Sequence, residues 1–410
     1  MKSWIRTALY YAAAVIITAA VSVGLTVMII NQQRGDRVVL SLEEYRSLSE
    51  LAPVGELADM IQQYHPEEEL SRQQLLEGAL TGMLAVTGDP YATYYSADAY
   101  ESYLTQLGGK YHGIGALVGQ PSAGEAGAAV LKVYANSPAQ AGGLQPGDVI
   151  TAIDGQGLQG LSLTEISQMM EGEIGTTVVL SVERGGQPLS FTLERQSGNT
   201  RRVEDGKLFK ENTGYIRIDM FTGNCVEEFR EALLDLTDRK MRSLVIDLRN
   251  NPGGELEKVV AMADLILGEG AIVTVESPNG SKEDYRSDAK GISVPLAVLV
   301  NEQSASASEI FAGAIQDNGA GIIVGTATFG KGTVQSTQQL KTNQGWVKMT
   351  TASYTLPSGK NIDGTGIQPD IAIDLADELK DVSIDQIEQD DDAQLWAALD
   401  EVRAQADAKE

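Results

Sequence analysis

The apolar positions change their period along the chain, and each change marks a different element. Residues 7–30 form a nearly unbroken apolar run of 24 residues. As a helix rising about 1.5 Å per residue it would be roughly 36 Å long, enough to cross a hydrocarbon layer of roughly 30 Å with some tilt. Lys2 and Arg6 precede the run and polar residues 31–37 follow it. This charge bias predicts a cytoplasmic N-terminus, with the remainder outside the cell. Ala20-Val21-Ser22 offers a small-residue cleavage site, but the run continues past it. An uncleaved transmembrane signal-anchor over residues 1–34 is therefore expected in preference to a removed signal peptide.

Residues 35–100 read as helical. Leu51, Val54, Leu57, Met60 and Ile61 recur at spacings of three and four, as do Leu75, Leu76, Ala79, Leu80 and Met83. Gly88-Asp89-Pro90-Tyr91 interrupts that pattern. Residues 101–195 are rich in Gly and in short apolar runs; the strands expected there are 129–134, 149–153, 178–183 and 189–194, with a helix over 163–170. In residues 196–375 strand and helix alternate. Strands are predicted at 215–220, 243–248, 296–300 and 322–324, and helices at 226–236, 256–267 and 308–316. Such alternation argues for a layered α/β core. Residues 376–410 carry 12 acids against 3 bases, and Leu395, Trp396, Leu399 and Val402 predict an amphipathic helix that packs by one face.

Composition narrows the function. The chain of 410 residues has 31 Lys plus Arg against 57 Asp plus Glu, a net charge of −26. So acidic a surface repels phosphate backbones and disfavours nucleic acid as a partner. Cys225 is the single cysteine, so no internal disulfide and no thiolate-rich metal site is expected. With only His65 and His112, a histidine-rich metal site is excluded, and a Ser-His-Asp triad would have to use one of the two.

The candidate chemistry lies in three short stretches. Asn301–Glu309 joins an apolar strand to a helix. Ser306-x-x-Glu309 there is a capping box, which would satisfy free N–H groups at the helix start. The same serine, held toward a cleft with a helix N-terminus behind it, suits a nucleophile. The two roles compete for one oxygen, and Ser304 is an alternative cap. A serine hydroxyl needs a base. Lys331, in Thr328-Phe329-Gly330-Lys331-Gly332-Thr333, would serve if burial kept it neutral; otherwise it is a lysine in a surface turn. Gly253-Gly254 follows a buried strand and would either expose N–H groups to an oxyanion or make a simple turn.

Taken together, Asn250–Gly254, Asn301–Glu309 and the stretch Phe329-Gly330-Lys331-Gly332-Thr333-Val334-Gln335 resemble the carboxyl-terminal processing (tail-specific) proteases. Ser306 and Lys331 lie 25 residues apart, and Gln335 follows four later. The resemblance extends over residues 88–95, the Gly-rich module and residues 357–371. It implies Ser306 as nucleophile, Lys331 as general base and Gln335 as the residue that orients the lysine. It implies Gly253 and the N–H of Ala307 as the oxyanion hole. The Gly-rich module resembles a PDZ domain, with Gly113, Ile114, Gly115 and Ala116 implied as the loop that binds a peptide carboxylate. Glu171 departs from this pattern, since relatives often carry a basic residue before the following glycine.

The expected architecture is thus a signal-anchor (1–34), a helical region (35–100), a PDZ-like β-rich domain (101–195), an α/β protease core (196–375) and an acidic helical segment (376–410). The expected function is serine endopeptidase action, without metal or cofactor, on exported proteins with exposed apolar C-termini. The helical segments suggest a homodimer. A nucleotide-binding reading of Gly325–Lys331 fails because Gly332 stands where magnesium needs Ser or Thr. A PDZ scaffold or holdase with an inactive core is the remaining alternative.

Overall fold

The computed structural model describes residues 10–11, 15–23, 40–65, 70–119, 121, 127–134, 136–161, 163–288, 291–341, 345–380, 382 and 384–409. Of the apolar run predicted to span a membrane, residues 10–11 and 15–23 are helical, and the rest lies outside the described residues. Among the described residues no helix is long and apolar enough to cross a membrane.

The chain divides into two compact units, residues 1–83 and 84–410. The first carries the helix Leu42–Tyr64 and most of the helix Arg72–Ala85. Ser41 starts the former through a reciprocal capping box with Glu44. Neither helix buries a residue. Leu42, Leu48, Leu51 and Leu57 are all exposed.

The second unit is built on a six-stranded sheet. Strands Thr213–Arg217, Ser243–Asp247, Leu296–Val300, Ile322–Gly325 and Ile371–Ala372 run parallel in that order, and Lys207–Leu208 adds an antiparallel edge. The central strands are apolar at nearly every position because both faces are covered. Leu244, Ile246, Val298 and Val300 face the helices Cys225–Asp238, Leu256–Ile266 and Ala307–Asp317. Val245, Ala297, Leu299 and Val324 face the C-terminal helix Ala393–Asp407, which buries Leu395, Ala398, Leu399 and Val402. The amphipathic tail helix expected from the sequence is therefore one layer of the core.

A second, antiparallel sheet combines Gly270–Glu276, Lys282–Ser287, Thr333–Gln339, Trp346–Thr355 and the short strand Thr93–Tyr95. Two corrections follow. The hairpin 333–355 and the strands 270–287 were not among the predicted elements. The strand Thr93–Tyr95, paired with Trp346–Lys348, lies in the region 35–100 that was expected to be helical.

The module between them is a sheet ordered Ala116–Gly119, Ala128–Val133, Val149–Ile153, Thr177–Arg184, Gln187–Glu194, with the helix Leu163–Met170 against it. Its own core includes Ile114, Val130, Ile150, Ile153, Ile166, Val178, Leu180 and Leu193. Ala116–Gly119 is an edge strand of this sheet.

Candidate active site

The parallel strands place their carboxyl ends on one side, the usual location of a site in such sheets. Two of these ends carry the candidate residues. Ser243–Asp247 leads into Arg249–Gly254, and Leu296–Val300 leads into Asn301–Ser306 and the helix Ala307–Asp317.

Ser306 sits at φ 55°, ψ −112°, a conformation that non-glycine residues rarely adopt. The structure resolves which serine of Ser304-Ala305-Ser306-Ala307-Ser308 is available. The Ser304 hydroxyl is buried; it donates to the Leu248 carbonyl at 2.8 Å and accepts the Asn301 N–H at 2.9 Å. The Ser308 hydroxyl is also buried and donates to the Asn251 carbonyl at 2.9 Å. Ser306 is only partly buried. The Glu309 N–H donates to the Ser306 carbonyl oxygen at 2.9 Å.

The return half of the capping box is present, and it reaches further than the sequence suggested. Glu309 is fully buried. Its Oε2 accepts the N–H of Ser306 at 2.8 Å and of Lys331 at 2.9 Å. Its Oε1 accepts the Gly330 N–H at 2.7 Å and the Thr328 hydroxyl at 2.6 Å. One carboxylate thus ties the serine turn to the lysine turn. Close approach of the loop 364–366 shapes the latter. A Cβ on Gly330, which has φ +88°, would lie 2.9 Å from the Gly366 nitrogen.

Lys331 is half-buried. Burial first, and then the Lys348 ammonium, push its amine below the ordinary lysine value, while Asp89 and Glu309 oppose the shift. Nζ lies over the ring of Tyr91, 4.1 Å from its centroid. The Gln335 amide donates to the hydroxyls of Thr333 at 3.0 Å and Thr350 at 3.2 Å. Among the described residues no hydrogen bond joins Gln335 to Lys331.

Gly253 packs directly against the serine. A Cβ there would fall 2.9 Å from both the Ser306 Cβ and the Ala307 nitrogen, so only glycine fits. Its N–H donates to Asn251 Oδ1 at 2.9 Å and is not open to solvent in this arrangement. Ala307 opens the helix, and among the described residues its N–H has no acceptor. Of the two N–H groups expected to hold an oxyanion, then, Ala307 is open and Gly253 is engaged.

Gly113 ends the strand Lys110–Gly113, and Ile114 and Gly115 join it to Ala116, the first residue of the edge strand. Gly115, at φ +75°, has the Ser137 Cβ 2.4 Å and the Tyr111 ring 2.8 Å from where a Cβ would stand. The backbone of Glu171 packs against Gly113. Burial raises the Glu171 carboxyl above its usual range, against the opposing charge of His112.

Sequence reasoning missed Asp89, Tyr91, Asn251 and Thr350, and it saw Glu309 only as a cap. The Ser-x-x-Glu spacing carried half of the Glu309 signal. The other half depends on residues 328–331 folding back onto it.

Comparison with known proteins gives this arrangement its class. Residues 212–373 match Peptidase family S41, residues 130–184 match the PDZ domain, and residues 16–99 match the N-terminal domain of the activating protease CtpB. The chain is 32% identical over 378 residues to the "Probable CtpA-like serine protease" of Staphylococcus haemolyticus, covering 91% of this chain and 73% of that one. It is 30% identical over 363 residues to the protein of the same description in Staphylococcus epidermidis, covering 88% and 71%. Among solved structures, the photosystem II D1 C-terminal processing protease superposes with a TM-score of 0.53 at 27% identity, over 80% of this chain and 93% of the other. Fold and relatives together define a serine protease with a PDZ domain. The chain belongs to the CtpA-like serine proteases of peptidase family S41, the carboxyl-terminal processing proteases.

Proposed function

We propose that the protein cleaves exported proteins after its PDZ domain has captured their apolar C-terminal tails, with Ser306 as nucleophile, Lys331 as general base and Gln335 orienting the lysine. The observation that carries this reading is the Glu309 carboxylate, which accepts N–H groups from both Ser306 and Lys331 and so keeps the two turns together. The strained backbone at Ser306 and the lowered basicity of Lys331 support it.

In this mechanism the neutral Lys331 amine takes the Ser306 Oγ proton as Oγ bonds to the peptide carbonyl carbon. The carbonyl oxygen becomes negative and is held by the Ala307 N–H and, once Asn251 releases it, by the Gly253 N–H. The Lys331 ammonium then protonates the leaving amine as the C–N bond breaks. Water repeats the sequence on the acyl-enzyme and frees the acid. The reaction draws on no metal or nucleotide.

The substrate tail would add as a strand to the free edge of Ala116–Gly119, its carboxylate on the backbone N–H groups of residues 113–116. The apolar run 7–30 behind its basic flank favours a single-pass anchor, with the catalytic domain on the extracytoplasmic side. The exposed apolar positions of the helix Leu42–Tyr64 favour a homodimer.

The test incubates the full chain with an unstructured protein ending in apolar residues. Cleavage should vanish in Ser306→Ala and in Lys331→Ala and should withstand a metal chelator. Persistence in either variant would overturn the mechanism, and a biological activity retained by Ser306→Ala would mark a scaffold.

A further inference from the structure

Lys331 lies on an aromatic face in this structure. Its Nζ stands 4.1 Å from the centroid of the Tyr91 ring, and among the described residues no hydrogen bond joins it to Ser306 or Gln335. A ring face attracts an ammonium through its quadrupole and offers a neutral amine no comparable attraction. The contact therefore favours the form of the lysine that cannot act as a base.

The ring is fixed by its own turn. Asp89 Oδ1 accepts the Tyr91 N–H at 2.9 Å, and Oδ2 accepts the Thr350 N–H at 2.8 Å. The Thr350 hydroxyl in turn accepts the Gln335 amide at 3.2 Å. The turn that holds the ring is thereby bonded to the same strand residue that engages Gln335.

Resting on the Ser306–Lys331 reading, we propose that Tyr91 is a positioning residue that parks protonated Lys331 on its ring and releases it to Ser306 when the lysine loses its proton. The proton leaves to water, and the free amine then accepts the Ser306 Oγ proton. The groups facing the lysine divide in sign. Lys348, from the strand Trp346–Thr355, opposes the ammonium; Asp89, from the Tyr91 turn, and Glu309, from the serine helix, favour it. Asp363, from the loop that packs on Gly332, faces Tyr91. A peptide chain laid across the cleft would exclude water from this balance and favour the neutral amine, so substrate itself would open the latch.

The experiment measures acylation of the full chain by a fluorophosphonate probe, and cleavage of an unstructured peptide ending in apolar residues, from pH 5 to 10. Tyr91→Phe keeps the ring and should keep the wild-type acid limb. Tyr91→Leu removes the ring; its acid limb should move to lower pH, with rates below the limb roughly 3- to 30-fold higher than wild type. An unmoved limb in Tyr91→Leu, or a limb shifted equally in Tyr91→Phe, overturns the proposal. A second measurement needs no variant. The Lys331 Cε protons of the wild type should show an upfield ring-current shift below the lysine pKa that disappears above it, and its absence overturns the proposal. If Ser306→Ala or Lys331→Ala still reacts, the parent mechanism fails; if both are dead and the limb stays fixed, the latch alone fails.

Discussion

Glu309 holds Lys331 by its main chain: Oε2 accepts the Lys331 N–H at 2.9 Å while accepting that of Ser306 at 2.8 Å. A carboxylate can accept from four donors at once, and an amide cannot, because half of it is itself a donor. Glu309→Gln therefore turns an NH2 group toward N–H donors in a fully buried site. The cost of an unsatisfied buried group is about 1–3 kcal/mol. We expect a lower unfolding midpoint and at least about a tenfold loss of acylation rate, since both turns lose their common anchor. A variant that acylates at the wild-type rate would show that the two turns are positioned by other contacts.

The basicity of Lys331 supplies a second prediction. Burial lowers it first and Lys348 next, with Asp89 and Glu309 acting the other way. In the proposed mechanism only the neutral amine acts as a base, so the rate should rise with pH through the lysine pKa. Lys348→Met removes a like charge, stabilises the ammonium and should move the acid limb to higher pH. The rate at neutral pH should fall by roughly two- to fivefold, a surface-scale charge effect. A pH–rate profile identical to wild type would refute the coupling. Because Lys348 also lies 5.2 Å from the Tyr103 ring centroid, thermal unfolding should be recorded beside it.

A third prediction concerns the buried cluster of Arg249, Asp247 and Asp392 behind the turn Asn250–Gly254. Arg249 donates to Asp247 at 2.6 Å and to both carboxylate oxygens of Asp392 at 2.9 and 2.8 Å, and all three side chains are buried. Removing Asp392 leaves Arg249 paired with Asp247 but deprives the buried guanidinium of two charge-assisted hydrogen bonds, a loss of about 1.5–3 kcal/mol. Asp392→Ala should lower the urea midpoint accordingly, and a change under about 1 kcal/mol would contradict the assignment. The pH dependence has a definite sign. Burial alone would raise the Asp247 carboxyl, but Arg249 outweighs it and holds the group below its ordinary value. That contribution is present above the unfolded-state pKa and is lost as pH falls through the folded one, a window below about pH 4.

The peptide groove yields a fourth. Glu171 adjoins the loop proposed to receive a carboxylate, and burial raises its own carboxyl against the influence of His112. Where Glu171 is ionised it repels the ligand's chain end. Glu171→Gln should tighten binding of a peptide with a free C-terminus by roughly two- to fivefold at neutral pH, with little gain at a pH where Glu171 is already neutral. Fluorescence anisotropy with free and amidated peptides would measure it. Equal gains for the amidated peptide would place the effect elsewhere.

Much of the core was legible in the sequence because its signals are local. Parallel strands covered on both faces must be apolar throughout, so 243–248 and 296–300 stand out, and their helices follow by period. The antiparallel hairpin 333–355 did not. It is half-exposed at nearly every position, and Thr333, Gln335, Thr337 and Gln339 offer no apolar alternation to read. The strand Thr93–Tyr95 exists only through its pairing with residues 346–348. Ser306, Lys331 and Gly253 could be singled out only through the ordered motifs that resemble the tail-specific proteases, whereas the ring under Lys331 comes from Tyr91, 240 residues away, and no local pattern announces such a contact.

The helix Ala393–Asp407 closes the core, and Asp392 at its start is bonded to Arg249, one residue before the turn Asn250–Gly254. By burying Leu395, Leu399 and Val402 and tethering Asp392 to Arg249, the fold makes this helix a wall of the core and a prop for the turn at once. A helix that came loose would strip Arg249 of two charged acceptors, so packing at one face of the sheet and the shape of the turn Asn250–Gly254 are a single property.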